Sequence, residues 1–191
     1  VPSICSYCGT GCGVLFQVMN GKIKRTLPLK THPVNEGKLC IKGWNLHEHV
    51  MSDKRLKSPM IRKDGELQES TWDEAIQTSA DKFKKIINEH RPDSVAVLAS
   101  AKITNEENYL TQKFARAVLG TNNIDHCARL CHSSTVAAAL ESFGDGAMSN
   151  SIADIGEAEV MFVIGSNTTE CHPIIARRIK QNIRKNGARL I

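Results

Sequence analysis

The chain has 191 residues, 41% of them hydrophobic, and a formal net charge of +5, enough for one core and a smaller satellite. No run of about 18 apolar residues marks a membrane span, and the Lys and Arg residues are scattered or helical rather than gathered in a stripe, which argues against a nucleic-acid partner. It opens on Val1 without a methionine and stops in "NGARLI", a strand-like run with no closing turn, so a piece cut at both ends is expected.

Three of the seven cysteines fall in the first twelve residues, in "VPSICSYCGTGCGVLF". Cys5, Cys8 and Cys12 are separated by two and then three intervening residues, and a fourth thiol follows singly at Cys40 in "EGKLCIKGW". Disulfides are the weakest explanation, because thiols in one tight Gly-rich loop converge rather than reach distant chain. Structural zinc would want a second close pair. Three close thiols and one remote one favour a 4Fe-4S cube, whose four irons each take one thiolate. Gly9, Gly11 and Gly13 let the backbone bend closely around such a cluster. Thiols clustered for a metal point to a reducing compartment, and a cytoplasmic location is the expectation.

Between the third and fourth thiols, "VLFQVMNGKIKRTL" alternates around Asn20-Gly21, a strong hairpin signal that returns the chain toward Cys40. Residues 1–60 are therefore expected to form a small β-rich cluster-holding lobe that leans on its metal and its neighbour for stability.

Over residues 61–191 the pattern changes. Thr71 and Glu74 make a capping box before a helix whose apolar positions Ala75, Ile76, Ala80, Phe83, Ile86 and Ile87 recur at helical spacing. Then come the apolar run "SVAVLAS", a helix over "NEENYLTQKFARAVLG" ending at Gly120, and another over "STVAAALESFG". "AEVMFVIGS" is expected as a buried strand over 159–164, "HPIIARRIKQNIRKNG" as a helix with Pro173 in its first turn, and "ARLI" as the next strand. Strand alternating with helix gives an α/β class with a doubly wound, mostly parallel sheet, whose ligands lie beyond the carboxyl ends of the strands.

Two loops carry candidate chemistry. In "GSNTTECHP", Gly165 permits close backbone approach, Asn167 and Thr168 offer polar contacts, and the following helix presents its N-terminus to a phosphate. The same loop also reads as an ordinary polar connection without a G-x-G-x-x-G pattern, and His172 as a helix cap. In "DHCARLCHSSTV", Cys131 precedes a helix and is followed by His132. That suits a reactive or metal-bound thiolate, and equally an inert buried cysteine. Cys127 and Cys171 read as free thiols.

"CSYCGTGC", "LCIKGW", "KFARAVLGTNNIDHCARLCHSSTVAAALESFGDGAMSN" and "GSNTTECHPI", in this order, resemble the N-terminal part of the catalytic subunit of molybdenum- or tungsten-dependent formate dehydrogenases. These belong to the bis-molybdopterin guanine dinucleotide oxidoreductases, and the resemblance spans essentially the whole chain. It implies that Cys5, Cys8, Cys12 and Cys40 hold a 4Fe-4S cluster. Lys42, two residues or about 7 Å of extended chain beyond Cys40, would lie between cluster and pterin. Cys131 would ligate molybdenum or tungsten, and His132 would handle the proton or position formate. Gly165, Asn167, Glu170 and Cys171 would contact the guanine dinucleotide. Lys102 would stand, with one gap allowed, near an arginine of the relatives.

The implied function is oxidation of formate to carbon dioxide, or its reverse, with electrons leaving through the cluster to electron-transfer subunits or domains. A further arginine of the relatives would fall beyond residue 191, so the isolated piece is expected to be inactive. One alternative is a periplasmic-type nitrate reductase, in which the residue after the cysteine is typically methionine; here it is His132. Another is a non-catalytic electron-transfer module like the large subunit of NADH dehydrogenases, which lacks the metal-binding thiol; "RLCHSS" argues against it.

Overall fold

Asn20 and Gly21 both take positive φ, 52° and 72°, the backbone that a two-residue hairpin turn requires. They join β2 (Gly13–Met19) to β3 (Lys22–Pro28), and β1 (Pro2–Ile4) pairs antiparallel with the other edge of β2. Two short helices follow, α1 (Ile41–Trp44) and α2 (Leu46–Met51). Thr26 of β3 is buried and bonds α2 twice, accepting from the His47 backbone N–H at 3.1 Å and meeting its Nδ1 at 3.2 Å. The computed structural model describes residues 1–191, and the chain groups into two units, Val1–Arg55 with Met148–Ile191, and Leu56–Ala147.

The C-terminal part of the first unit carries β8 (Val160–Met161), α7 (Thr168–Cys171), α8 (Pro173–Asn186) and β9 (Arg189–Leu190), with β8 and β9 parallel. The strand expected over 159–164 is shorter, because only Val160 and Met161 lie opposite β9, although Val163 N–H still reaches Ile191 O at 2.9 Å. Pro173 opens α8 and Gly187 closes it at φ 73°, as the sequence predicts. One face of α8 is buried through Ile174, Ala176, Ile179 and Asn182. Two cores result: Cys5, Cys12, Val14, Leu46 and Ile174 in one, Met161, Ile179 and Ala188 in the other. Asn182 donates to Ile155 O at 2.8 Å and Ala158 O at 2.7 Å, fixing α8 to the turn that precedes β8.

In the second unit, β4 (Met60–Lys63) and β5 (Glu66–Glu69) form a hairpin on Asp64-Gly65. α3 (Trp72–His90) starts at Thr71, whose hydroxyl accepts from Glu74 N–H. The Glu74 carboxylate does not complete the expected box; it bonds Lys63 and Ser70, each at 2.6 Å. The complete box is at α4 (Asn105–Lys113), between Thr104 and Glu107. α4 widens into a π-helical turn, Phe114–Leu119, ending at Gly120 with φ 75°. Phe114 meets Phe83 of α3 edge-on at 6.2 Å. β6 (Val97–Ala99) and β7 (Ile124–His126) are parallel, and α5 (Ala128–Cys131) and α6 (Ser133–Phe143) follow.

The α/β class is borne out: a small antiparallel N-terminal sheet, then helices and parallel strands, the latter in two pairs. No helix is long and apolar enough to cross a membrane.

Candidate functional site

Cys5, Cys8, Cys12 and Cys40 line one cavity in the first unit. Hairpin pairing positions the first three: Cys5 N–H donates to Cys12 O at 2.8 Å, closing the loop on itself, and Gly11 takes φ 73°, which a side chain would resist. Cys40 enters from the other side as the residue before α1, and its carbonyl accepts from Trp44 N–H.

Asn35 holds the two sides together. It is 2% exposed; its Oδ1 accepts from Gly13 N–H at 2.8 Å, and its Nδ2 donates to Gly13 O at 3.1 Å and Lys38 O at 2.9 Å. One amide thus clamps the residue after Cys12 to the segment before Cys40. Gly13 is needed for close approach as well, since a Cβ there would lie 2.6 Å from His32 Cδ2. Arg178 of α8, with 12% of its side chain exposed, secures the same loop through Pro33 O, Val34 O and the Glu36 carboxylate.

The cavity wall is otherwise largely apolar, with Leu39, Gly43, Pro173 and Ile174 among its lining. Burial pushes the Cys12 thiol up to about 12, reinforced by its neighbours Cys5, Cys8 and Cys40; burial raises Cys5 too, against a hydrogen bond from the Tyr7 backbone. Thiols so placed ionise only when cationic charge is supplied between them. No three His, Cys, Asp or Glu side chains converge closely enough to hold a single ion, whereas all four thiols border one space. That arrangement fits a multi-iron cluster better than one zinc ion.

Lys42 lines the same cavity, its Nζ 4.6 Å from the centre of the Tyr7 ring. Cys171 lines it as well. The loop after β8 has Gly165 at φ 64° and an Asn167 amide that donates to the Glu170 carboxylate at 2.9 Å. The long helix expected to follow this loop directly is preceded by the separate turn of α7, and its first residues, Pro173 and Ile174, face the thiols.

The remaining candidates lie in the second unit. β6 and β7 run parallel, so the loops after both leave the same end of the pair, the end where such folds bind ligands. Ala101 N–H donates across to Cys127 Sγ at 3.4 Å, which gives Cys127 a structural partner. Lys102 follows in the first loop. In the second, Cys131 is the exposed last residue of α5, and His132 separates it from α6. The helix expected over "STVAAALESFG" is α6, which begins one residue earlier, at Ser133, and the short helix α5 precedes it.

A molybdopterin oxidoreductase family model matches residues 55–191, and the molybdopterin oxidoreductase Fe4S4 domain matches residues 1–52. The chain belongs to the molybdopterin oxidoreductases. Across its full length it is 52% identical to the F420-dependent formate dehydrogenase 1 subunit alpha of Methanococcus maripaludis and 47% to the F420-dependent formate dehydrogenase subunit alpha of Methanocaldococcus jannaschii. It spans 28% of the length of each. Acetylene hydratase from Pelobacter acetylenicus superposes with a TM-score of 0.80 at 24% identity, over 99% of this chain and 26% of that one; this likeness is one of fold. A molybdopterin cofactor and a 4Fe-4S cluster are the groups that these family descriptions support. Sequence reasoning missed Asn35, Tyr7 and Arg178; an Asn in a polar loop between Pro33 and Gly37 carries no local sign that it is buried.

Proposed function

We propose that the chain is the N-terminal part of a formate dehydrogenase catalytic subunit, with residues 1–60 holding a 4Fe-4S cluster and 61–191 the first part of the pterin-binding region. The observation that carries this reading is four thiols around one cavity with Lys42 beside them, in a chain about half identical to formate dehydrogenase alpha subunits. The reaction is HCOO⁻ → CO₂ + H⁺ + 2e⁻, or its reverse. A bis-molybdopterin guanine dinucleotide centre with molybdenum or tungsten would supply the two-electron chemistry when bound, and a 4Fe-4S cluster held by the four cysteines would supply a one-electron relay.

The chain's own residues divide the remaining work. Cys131 offers its thiolate to the metal, and its exposure at the ligand-binding end of β6 and β7 suits that role. His132 takes the substrate proton on an imidazole nitrogen. Lys102, in the neighbouring loop, contributes a cation for the pterin's phosphates. In the loop after β8, Gly165 lets the dinucleotide approach the backbone, and the Glu170 carboxylate, oriented by Asn167, accepts from the guanine N–H groups. Lys42, which lines the thiol cavity, would supply a positive charge between cluster and pterin.

The full-length subunit tests this. Iron together with molybdenum or tungsten, and formate-dependent reduction of a dye or of F420, supports it. Nitrate reduction without formate oxidation would make it a nitrate reductase, and iron without either heavy metal would make it an electron-transfer module.

A further inference from the structure

Cys171, Pro173 and Ile174 complete the wall of the cavity that Cys5, Cys8, Cys12 and Cys40 line. Two properties of this segment bear on whatever the thiols hold. Pro173 is the first residue of α8, a helix of 14 residues, so the electropositive end of that helix abuts the cavity. Of the three residues, only Cys171 has a side chain able to donate a hydrogen bond, since Pro173 lacks even a backbone N–H and Ile174 is apolar. The backbone N–H of Cys171 is already given to Asn167 O at 3.0 Å. The loop thereby divides its work. Asn167 and Glu170 bond one another at 2.9 Å across the turn of α7, while Cys171, Pro173 and Ile174 border the thiols.

We infer that Cys171 is a fifth, non-ligating thiol that sets the redox poise of the iron–sulfur cluster. Its S–H donates to a cluster sulfur and, with the N-terminal end of α8, raises the reduction potential. The inference rests on the reading of Cys5, Cys8, Cys12 and Cys40 as the cluster ligands. Four thiolates leave such a cluster with net negative charge, and one-electron reduction adds another unit without making or breaking a bond. A hydrogen-bond donor and a positive helix end therefore stabilise the reduced form more than the oxidised one.

The experiment is a redox titration of the full-length protein, followed by the electron paramagnetic resonance signal of the reduced cluster, for wild type, Cys171→Ala and Cys171→Ser. Both variants are expected to keep the wild-type iron content. At a fixed potential the Ala variant shows a reduced-to-oxidised ratio about three- to tenfold lower, tenfold being ~59 mV for one electron. The Ser variant, which keeps a donor on the same stem, stays within about twofold of wild type. An Ala variant that titrates with wild type overturns the inference, as does a Ser variant that falls as far as Ala, which would make the effect one of packing. Iron lost from the Ala variant would make Cys171 a ligand and overturn it also. Absence of any four-iron signal from wild type would remove the ligand reading itself.

Discussion

The thiol-lined cavity and the Cys131 loop are the two chemically charged places in the molecule, and they are built in opposite ways. Around the thiols, Asn35, Thr26 and Thr10 are buried polar residues, and Asn35 and Thr26 tie strand to loop and strand to helix. Around Cys131 the chain is open: Leu130 is 95% exposed and Leu98 of β6 87%, and Ala101 N–H reaches from one loop to Cys127 Sγ of the other at 3.4 Å. A ligand set for a multi-iron cube must be held at four points at once, so its scaffold is fixed by local hydrogen bonds. On the proposed reading, Cys131 contributes one thiolate to a large cofactor and needs only to present it, with the cofactor and the rest of the protein completing the surroundings.

The sharpest way to break that contrast is to remove one thiol from each place in the full-length protein. Cys12→Ser is expected to lose most of the bound iron and to destabilise the N-terminal lobe, because metal binding there is also folding free energy. Cys131→Ser is expected to keep its iron and its stability while turnover falls by more than about a hundredfold. Iron analysis and formate-dependent dye reduction on the same samples decide it; equal iron loss in both variants would mean that the two places are not independent.

Next in size is Asn35→Ala. It strips three hydrogen bonds and leaves the Gly13 N–H without a buried partner, at a cost of about 3 kcal/mol by urea unfolding. Asn167→Ala, at an exposed pair in the loop after β8, is expected to shift stability by no more than about 0.5 kcal/mol. Gly13→Ala drives a methyl group into the His32 ring and is expected to cost about 1–3 kcal/mol and part of the iron.

Much of this contrast was legible in the residues, and what escaped was tertiary. Cys5, Cys8, Cys12 and Cys40 announced themselves by spacing, Asn20-Gly21 by turn chemistry, and Pro173 and Gly187 by their positions at the ends of α8. The hairpin on Asp64-Gly65 had the same kind of signal, but both its strands are largely exposed and so lack the apolar alternation that marks a half-buried strand. Glu74 was read as a capping partner of Thr71, and tertiary placement of Lys63 gave its carboxylate a stronger one. Asn35 and Arg178 act on chain far from them in sequence, Arg178 across more than a hundred residues, and no local pattern encodes that. Cys171 was read with the nucleotide loop because it follows Glu170; that it also lines the thiol cavity follows from the turn of α7 and had no local sign.

The smallest expected effect concerns the open region and sharpens what little holds it. Asp125, at the middle of β7, accepts from the Arg129 guanidinium and from the His126 N–H, and these hold its carboxyl below the ordinary value of 3.8. A carboxyl whose folded-state pKa is depressed contributes stability above its unfolded pKa, and that contribution is lost as pH falls through the folded value. The pair is surface-exposed and screened, so the effect is modest. Between pH 5 and pH 3, the protection of the amides in α5 and in the loop that carries Cys131, taken relative to the intrinsic exchange rate at each pH, is expected to fall, and 1 M salt is expected to shrink the change. Arg129→Gln should flatten the pH dependence over the same range while leaving the exchange of the Cys5 to Cys12 loop untouched. If the variant keeps the wild-type profile, the Asp125 pair does not steady the Cys131 loop, and that loop's order comes from its other hydrogen bonds, among them Ala101 N–H to Cys127 Sγ and Cys131 N–H to Cys127 O.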